Sequence, residues 1–122
     1  MSTKTKTFTF VTRLAAYGSN RPRLCLDAAL ATAVFEQSVN YLFLDDGVYQ
    51  LLANQNADGI QQKTLGNALE TLELYGIERV LVSEDALTTR GISPDELLLP
   101  ATLVNDSDIK SLFADSDYVV NL

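Results

Sequence analysis

The run Tyr41-Leu42-Phe43-Leu44 constrains the fold more than any other segment of the chain. In an extended strand successive side chains point to opposite sides. Four large apolar residues in a row therefore need cover on both faces. Such strands sit in the middle of parallel sheets with helices on either side. Val39 and Asn40 lead into the run, and Asp45-Asp46-Gly47 stops it. The rest of the chain has to supply neighbouring strands and covering helices.

It does so in alternation. Phe8 to Thr12 is β-branched and aromatic and reads as a first strand. Arg13 to Pro22 carries the turn residues Gly18, Ser19, Asn20 and Pro22. Arg23 to Gln37 is helical in pattern, with Leu24, Ala28, Ala31 and Phe35 on one face and further apolar residues around most of the circumference. A helix this apolar is covered on more than one side, either as an inner helix of a layered fold or, as expected here, with its outer face against another subunit. Val39 to Leu44 is the second strand, and Val48 to Ala53 a short helix. After a polar loop, Thr64 to Tyr75 reads as a helix closed by Gly76. Glu78 to Val82 is a third strand, and Ser83 caps a short helix, Glu84 to Arg90, ended by Gly91. Leu97 to Val104 is a fourth strand, which Pro100 marks as an edge or a bulge. A helix over Asp108 to Ala114 and a strand over Tyr118 to Asn121 complete the chain.

This order predicts an α/β fold, a three-layer α/β/α sandwich around a five-stranded, mostly parallel sheet. A chain of 122 residues is the usual size of one domain. The expectation is a single domain over residues 1–122, with 1–7 frayed.

Composition excludes whole classes of chemistry. There is no histidine, so the usual general base at neutral pH and every Ser–His or Cys–His constellation are missing. Cys25 is the only cysteine, which rules out an intramolecular disulfide and leaves no set of thiol and imidazole ligands for zinc. The formal net charge of -7 disfavours contact with nucleic acid or anionic membranes. The start of the chain, Met1 to Lys6, is polar and unlike a signal peptide, and no apolar stretch is long enough to span a bilayer. A cytoplasmic location is expected.

In a parallel α/β fold, ligands gather at the C-terminal ends of the strands. Those ends carry Arg13 to Asn20, Asp45-Asp46-Gly47 and Ser83-Glu84-Asp85. No glycine-rich phosphate loop occurs there. Arg13, Arg21 and Arg23 are candidates for holding an anion, against the plainer reading as solvated loop residues. Asp45 and Asp46, being adjacent, point apart and form no acid/base pair; one is expected to cap the helix that follows. A magnesium site would need Glu84 or Asp85 in addition. Cys25, between Leu24 and Leu26, is expected in the core, although a thiol in a helix's first turn can be reactive. No cofactor and no metal are expected.

Four stretches carry a resemblance: FTFVTRLAAYGS from Phe8, LDAALATAVF from Leu26, LFLDDGVYQLL from Leu42 and LELYGIERVLVSEDALTTRGI from Leu72. The tail Ser116-Asp117-Tyr118-Val119-Val120 agrees with them. Together they resemble the DsrE/DsrF-like family, and within it the TusC (DsrF-like) branch, over nearly the whole chain. The resemblance implies the same five-stranded sandwich. It also implies a non-catalytic subunit of a persulfide relay that supports 2-thiolation of the wobble uridine of tRNA. Its partners would be TusB-like and TusD-like subunits in a heterohexamer with two of each, and TusA-like and TusE-like proteins through that complex. The alternatives are a DsrF-type subunit of a DsrEFH complex in sulfur oxidation, a stand-alone thiol carrier through Cys25, and a small-molecule binding module using the loop from Arg13 to Arg23. In the family's sulfur-carrying subunit the relay cysteine follows the third strand, eight residues before the glycine that closes the next helix. Counting back from Gly91 places Ser83 there. A serine hydroxyl cannot form a persulfide, because the chemistry needs a thiolate. No catalytic residue is therefore implied.

Overall fold

Alternating aromatic and β-branched residues extend the chain at Thr7–Thr12 (β1), Ser38–Phe43 (β2), Arg79–Ser83 (β3), Thr102–Val104 (β4) and Tyr118–Asn121 (β5). Residues 5–15, 20–52, 69, 71–77, 79–97 and 100–122 are described by the computed structural model. The strands form one sheet in the order β4-β3-β2-β1-β5, and every pairing is parallel. The α/β expectation holds, and the sheet is wholly parallel. The expected central strand is β2, buried from Val39 to Phe43 between β1 and β3.

Among the described residues three α-helices lie between the strands: Arg21–Val34 (α1), Glu84–Thr89 (α2) and Asp106–Asp115 (α3). Helix α1 starts two residues earlier than its periodicity suggests. Pro22 is tolerated in a first turn, where the backbone N–H groups have no helical partner in any case. It also stops earlier than Gln37, because Glu36 is left-handed at φ 61°. Glycines close two other segments as expected: Gly76 and Gly91 have φ of 91° and 66°, which side-chain-bearing residues rarely adopt. At Gly91 the return bonds Ile92 N to Leu87 O (2.9 Å) and Gly91 N to Thr88 O (3.1 Å) complete the cap.

Other expectations need correction. The segment after β2 is a 3₁₀ helix, Asp45–Leu51, rather than a helix over 48–53. Strand β4 is three residues, not eight. A 3₁₀ turn at Pro94–Glu96, held by a capping box on Ser93, precedes it; of the expected stretch, Leu98 and Leu99 lie outside the described residues, and Pro100 and Ala101 are not in the strand. The helix expected over 64–75 lies mostly outside the described residues, but Leu69 and Leu72 are fully buried and a 3₁₀ turn at Glu73–Tyr75 leads into Gly76. Residues 1–4 of the expected frayed start are also outside them. Lys6 and Thr7 are held, Lys6 N donating to Gln37 Oε1 (2.7 Å) and Thr7 N to Asp117 Oδ2 (2.7 Å).

Parallel crossovers are right-handed. Steps from β1 to β2, β2 to β3 and β3 to β4 all move one way across the sheet, so the described parts of their connections fall on one face. The single step back, from β4 to β5, puts α3 on the other. The core follows this asymmetry. On the first face Phe10, Val39, Tyr41, Phe43 and Val82 pack against Cys25, Leu26 and Ala29 of α1, Leu69 and Leu72, and Ala86 and Leu87 of α2. On the second, Val11, Leu42, Leu44, Leu81 and Val104 meet Leu112, with Ile109 and Phe113 beside them.

Candidate functional site

The C-terminal ends of β1, β2 and β3 meet at the turn Asp45-Asp46-Gly47. Gly47 is required there because a Cβ would overlap the carbonyl oxygen of Thr12. That oxygen already accepts a hydrogen bond from Leu44 N at 3.0 Å. The two aspartates point apart, as expected, but neither side chain caps the 3₁₀ helix. Each holds an arginine instead. Asp45, left-handed at φ 49°, accepts from Arg13 Nη1 at 3.0 Å. Asp46 Oδ1 accepts from both Nε (3.1 Å) and Nη2 (2.8 Å) of Arg90. Arg90 further donates to Ala86 O at 3.2 Å and lies 5.8 Å from the centre of the Tyr49 ring. The turn thus ties the end of β1 and the end of α2 to the end of β2.

These pairs answer the anion reading of the arginines. Arg13 is engaged by Asp45 and lies 3.4 Å from Asn121 Oδ1. Arg23 pairs with Asp27 one helical turn on (3.2 Å), and Arg21 is also partnered. The three do not converge on a shared ligand. Glu84 and Asp85 lie exposed in the first turn of α2, where negative charge suits the helix dipole. Among the described residues no three acidic, cysteine or histidine side chains are grouped as a metal site.

Ser83 is the last residue of β3 and is 6% exposed. Its Oγ accepts from Ala86 N at 3.1 Å, which makes it the N-cap of α2 as the sequence suggested. Cys25 is fully buried in the first turns of α1, under the first face of the sheet. Its thiol donates to Val11 O at 3.9 Å. Burial pushes its pKa up, with the adjacent Tyr41 hydroxyl only partly offsetting this. Tyr41 is itself pushed well above the ordinary phenol range, by burial first and by Cys25 second. Cys25 thus lies in the core, where its place between Leu24 and Leu26 puts it.

Sequence reasoning missed Gln50, a 2% exposed amide that donates to Thr12 Oγ1 (2.8 Å) and Leu14 O (2.7 Å) and so fixes the start of the loop after β1. The polar spacing that could have revealed it is absent, since one glutamine in an apolar stretch looks like any surface residue.

The outer side of α1 is the other conspicuous surface. Of the stripe Leu24, Ala28, Ala31 and Phe35 read from the sequence, Leu24, Ala31 and Phe35 turn outward and Ala28 packs partly against the core, whose buried side of α1 is Pro22, Cys25, Leu26 and Ala29. Leu24, Val34 and Phe35 are 49%, 67% and 75% exposed. The Glu73–Tyr75 turn packs beside α1 and adds exposed Leu74 and Tyr75. Single exposed apolar residues are ordinary, but this number around one helix is not. Among the described residues no helix is long and apolar enough to cross a membrane.

Known proteins agree with this architecture. The chain is 40% identical over 98 residues to the "Intracellular sulfur oxidation protein DsrF" of Allochromatium vinosum, covering 80% of this chain and 72% of that one. It is 33% identical over 112 residues to the "Protein TusC homolog" of Pseudomonas aeruginosa, covering 92% and 94%. The ychN protein of E. coli has the same fold, with a TM-score of 0.79 at 20% identity, over 96% of this chain and 99% of that one. The family model described as DsrE/DsrF-like matches residues 6–122, and the chain belongs to the DsrE/DsrF-like family.

Proposed function

We propose that this chain is a non-catalytic subunit of a sulfur-transfer complex, one that helps to present a relay cysteine carried by another subunit. The observation that carries the reading is the state of its two candidate sulfur sites. Cys25 is sealed in the core with a raised pKa. Ser83, in the place where the family's sulfur carrier has cysteine, has no thiol, and its hydroxyl caps α2. Persulfide exchange requires a thiolate with access to a partner's sulfur. Neither residue provides one. The exposed apolar side of α1 supports a role in assembly with TusB-like and TusD-like subunits, in a heterohexamer with two of each. TusA-like and TusE-like proteins would then deliver and receive sulfur at the complex, in the cytoplasm, for 2-thiolation of the tRNA wobble uridine.

Co-expression with TusB-like and TusD-like subunits tests the proposal. A stable complex is expected, with sulfur transfer that fails when this chain is left out. A chain that stays monomeric while transfer proceeds without it contradicts the reading. A second reading, a DsrF-type subunit in sulfur oxidation, is favoured by the 40% identity to the Allochromatium vinosum protein. The two separate on thiolated tRNA: deletion of the gene abolishes 2-thiouridine under the first reading and leaves it unchanged under the second.

A further inference from the structure

On the second face of the sheet, next to α3, a groove of about 490 Å³ opens over the N-terminal halves of β1, β2 and β3 and along β4. Its size lies in the ~300–1,000 Å³ range of small-molecule sites. Its floor is polar where a sheet face under a helix is usually apolar. Thr9, Asn40 and Arg79 stand in register across the three strands, so their side chains share this face.

A relay of hydrogen bonds fixes how Asn40 is turned. Ser116 Oγ lies 2.6 Å from Leu112 O, and a carbonyl can only accept, so the serine proton goes there. Thr9 Oγ1, 2.5 Å from Ser116 Oγ, must then donate to the serine. Asn40 Nδ2, 3.2 Å from Thr9 Oγ1, donates to the threonine. The carboxamide is thereby held with Oδ1 as its unused end. Asn40 is 1% exposed, lines the groove, and its Oδ1 has no partner. Buried acceptors are seldom left so.

The same groove holds charges of both signs. Arg79 on the floor and Asp115 on the α3 wall line it, and neither forms an ion pair with another described residue. Leu81, Val104 and Leu112 supply apolar wall. We propose that this groove binds a free α-amino acid with an apolar side chain. The ammonium group donates to Asn40 Oδ1 and is balanced by Asp115, the carboxylate pairs with Arg79, and the side chain lies against Leu81, Val104 and Leu112. Asn40 and Arg79 sit on adjacent strands, ~4.8 Å apart. An α-amino acid carries its ammonium and carboxylate on one carbon, close enough to meet both. A simple anion would meet Arg79 but leave Asn40 Oδ1 without a donor, and a simple amine would leave Arg79 unpaired. The site is separate from the strand ends that hold Ser83 and does not depend on the relay reading.

Titration of the full chain with L-leucine, followed by ¹H–¹⁵N spectra, tests the proposal. Saturable shifts are expected at the Asn40 side-chain amide and at the Arg79 and Leu103 backbone amides. The analogues 4-methylpentanoate and isoamylamine, each lacking one charge, are expected to bind at least about tenfold more weakly, as fits loss of a charge-assisted contact. Arg79→Gln and Asp115→Asn alter exposed side chains, and each is expected to weaken leucine binding while leaving the rest of the spectrum unchanged. Absence of any shift with leucine overturns the proposal. So does binding that survives both substitutions, or a single-charge analogue that binds as well as leucine.

Discussion

The two faces of the sheet are built from the same five strands and differ in almost everything else. The first is covered by the described parts of three successive connections and closes over an apolar core from Phe10 to Ile92. Among the described residues the second is covered by α3. Its apolar residues sit at the C-terminal halves of the strands, and its N-terminal halves carry Thr9, Asn40 and Arg79. The difference follows from strand order. With right-handed crossovers, an order of β4-β3-β2-β1-β5 sends three connections to one side and one to the other. A fold of this kind has one face for stability and one with room for other uses.

Core substitutions probe this contrast most strongly. Phe43→Ala removes a fully buried ring that packs edge-on against Tyr41, with centres 5.2 Å apart. It is expected to cost about 3–5 kcal/mol in denaturant unfolding. Leu112→Ala, at the 8% exposed centre of the smaller cluster, is expected to cost about 2 kcal/mol, since its site can relax towards the groove. Equal losses would mean that the second face is as tightly packed as the first.

The junction of the strand ends gives the next largest effect. Gly47→Ala forces a methyl group onto the Thr12 carbonyl, and the backbone on both sides has to shift. A loss of about 1–3 kcal/mol is expected. The Arg90–Asp46 contact should loosen with it, visible as a shifted Tyr49 ring resonance. An unchanged midpoint would show that the turn does not lie against β1.

Titration distinguishes the first face from the second without removing any packing. Cys25 and Tyr41 are both raised, so the folded state holds their protons more tightly than the unfolded chain does. Stability from these groups is therefore complete below the unfolded thiol value of ~8.5. It falls as pH rises above that, more steeply once the unfolded phenol ionises near ~10. A Cys25→Ala/Tyr41→Phe double variant is expected to flatten this alkaline slope. In the native state at neutral pH, Cys25 should label only as fast as the protein unfolds. Rapid labelling under native conditions would contradict the sealed core.

The smallest effect is expected at the end of α1. Glu36 takes a left-handed conformation that glycine adopts without cost. Glu36→Gly is expected to stabilise by about 0.5–1 kcal/mol in the same unfolding assay. A loss would show that the Glu36 side chain does more than endure its backbone.

Much of the first face was legible in the residues. Tyr41 to Leu44 announces a central strand, Gly76 and Gly91 announce helix ends, and Ser83 announces a cap. Propensity and period are local signals, and these features are local. The direction of α1 was less so. An apolar stripe through Leu24, Ala28, Ala31 and Phe35 looks like a core face, and only the crossing of α1 over β1 and β2 shows that Cys25, Leu26 and Ala29 face inward and that Ala28 alone of the stripe packs against them. The aspartates of the turn were expected to cap a helix. They hold Arg13 and Arg90 because residues 32 and 44 positions away are brought beside them, which no local pattern records. The groove was hidden for the same reason. Ser38 and Asn40 alternate with Val39 and Tyr41 as in any half-exposed strand, and the orphaned Oδ1 depends on Thr9, Ser116 and Leu112 meeting in space.

The central claim concerns where sulfur does and does not go. The complex of this chain with TusB-like and TusD-like subunits is incubated with a cysteine desulfurase and cysteine, and each subunit is weighed intact by mass spectrometry. The account predicts added sulfur on the TusD-like subunit, removed by a reductant, and an unchanged mass for this chain. Added sulfur on this chain, lost in a Cys25→Ala variant and passed on to a partner, would contradict it.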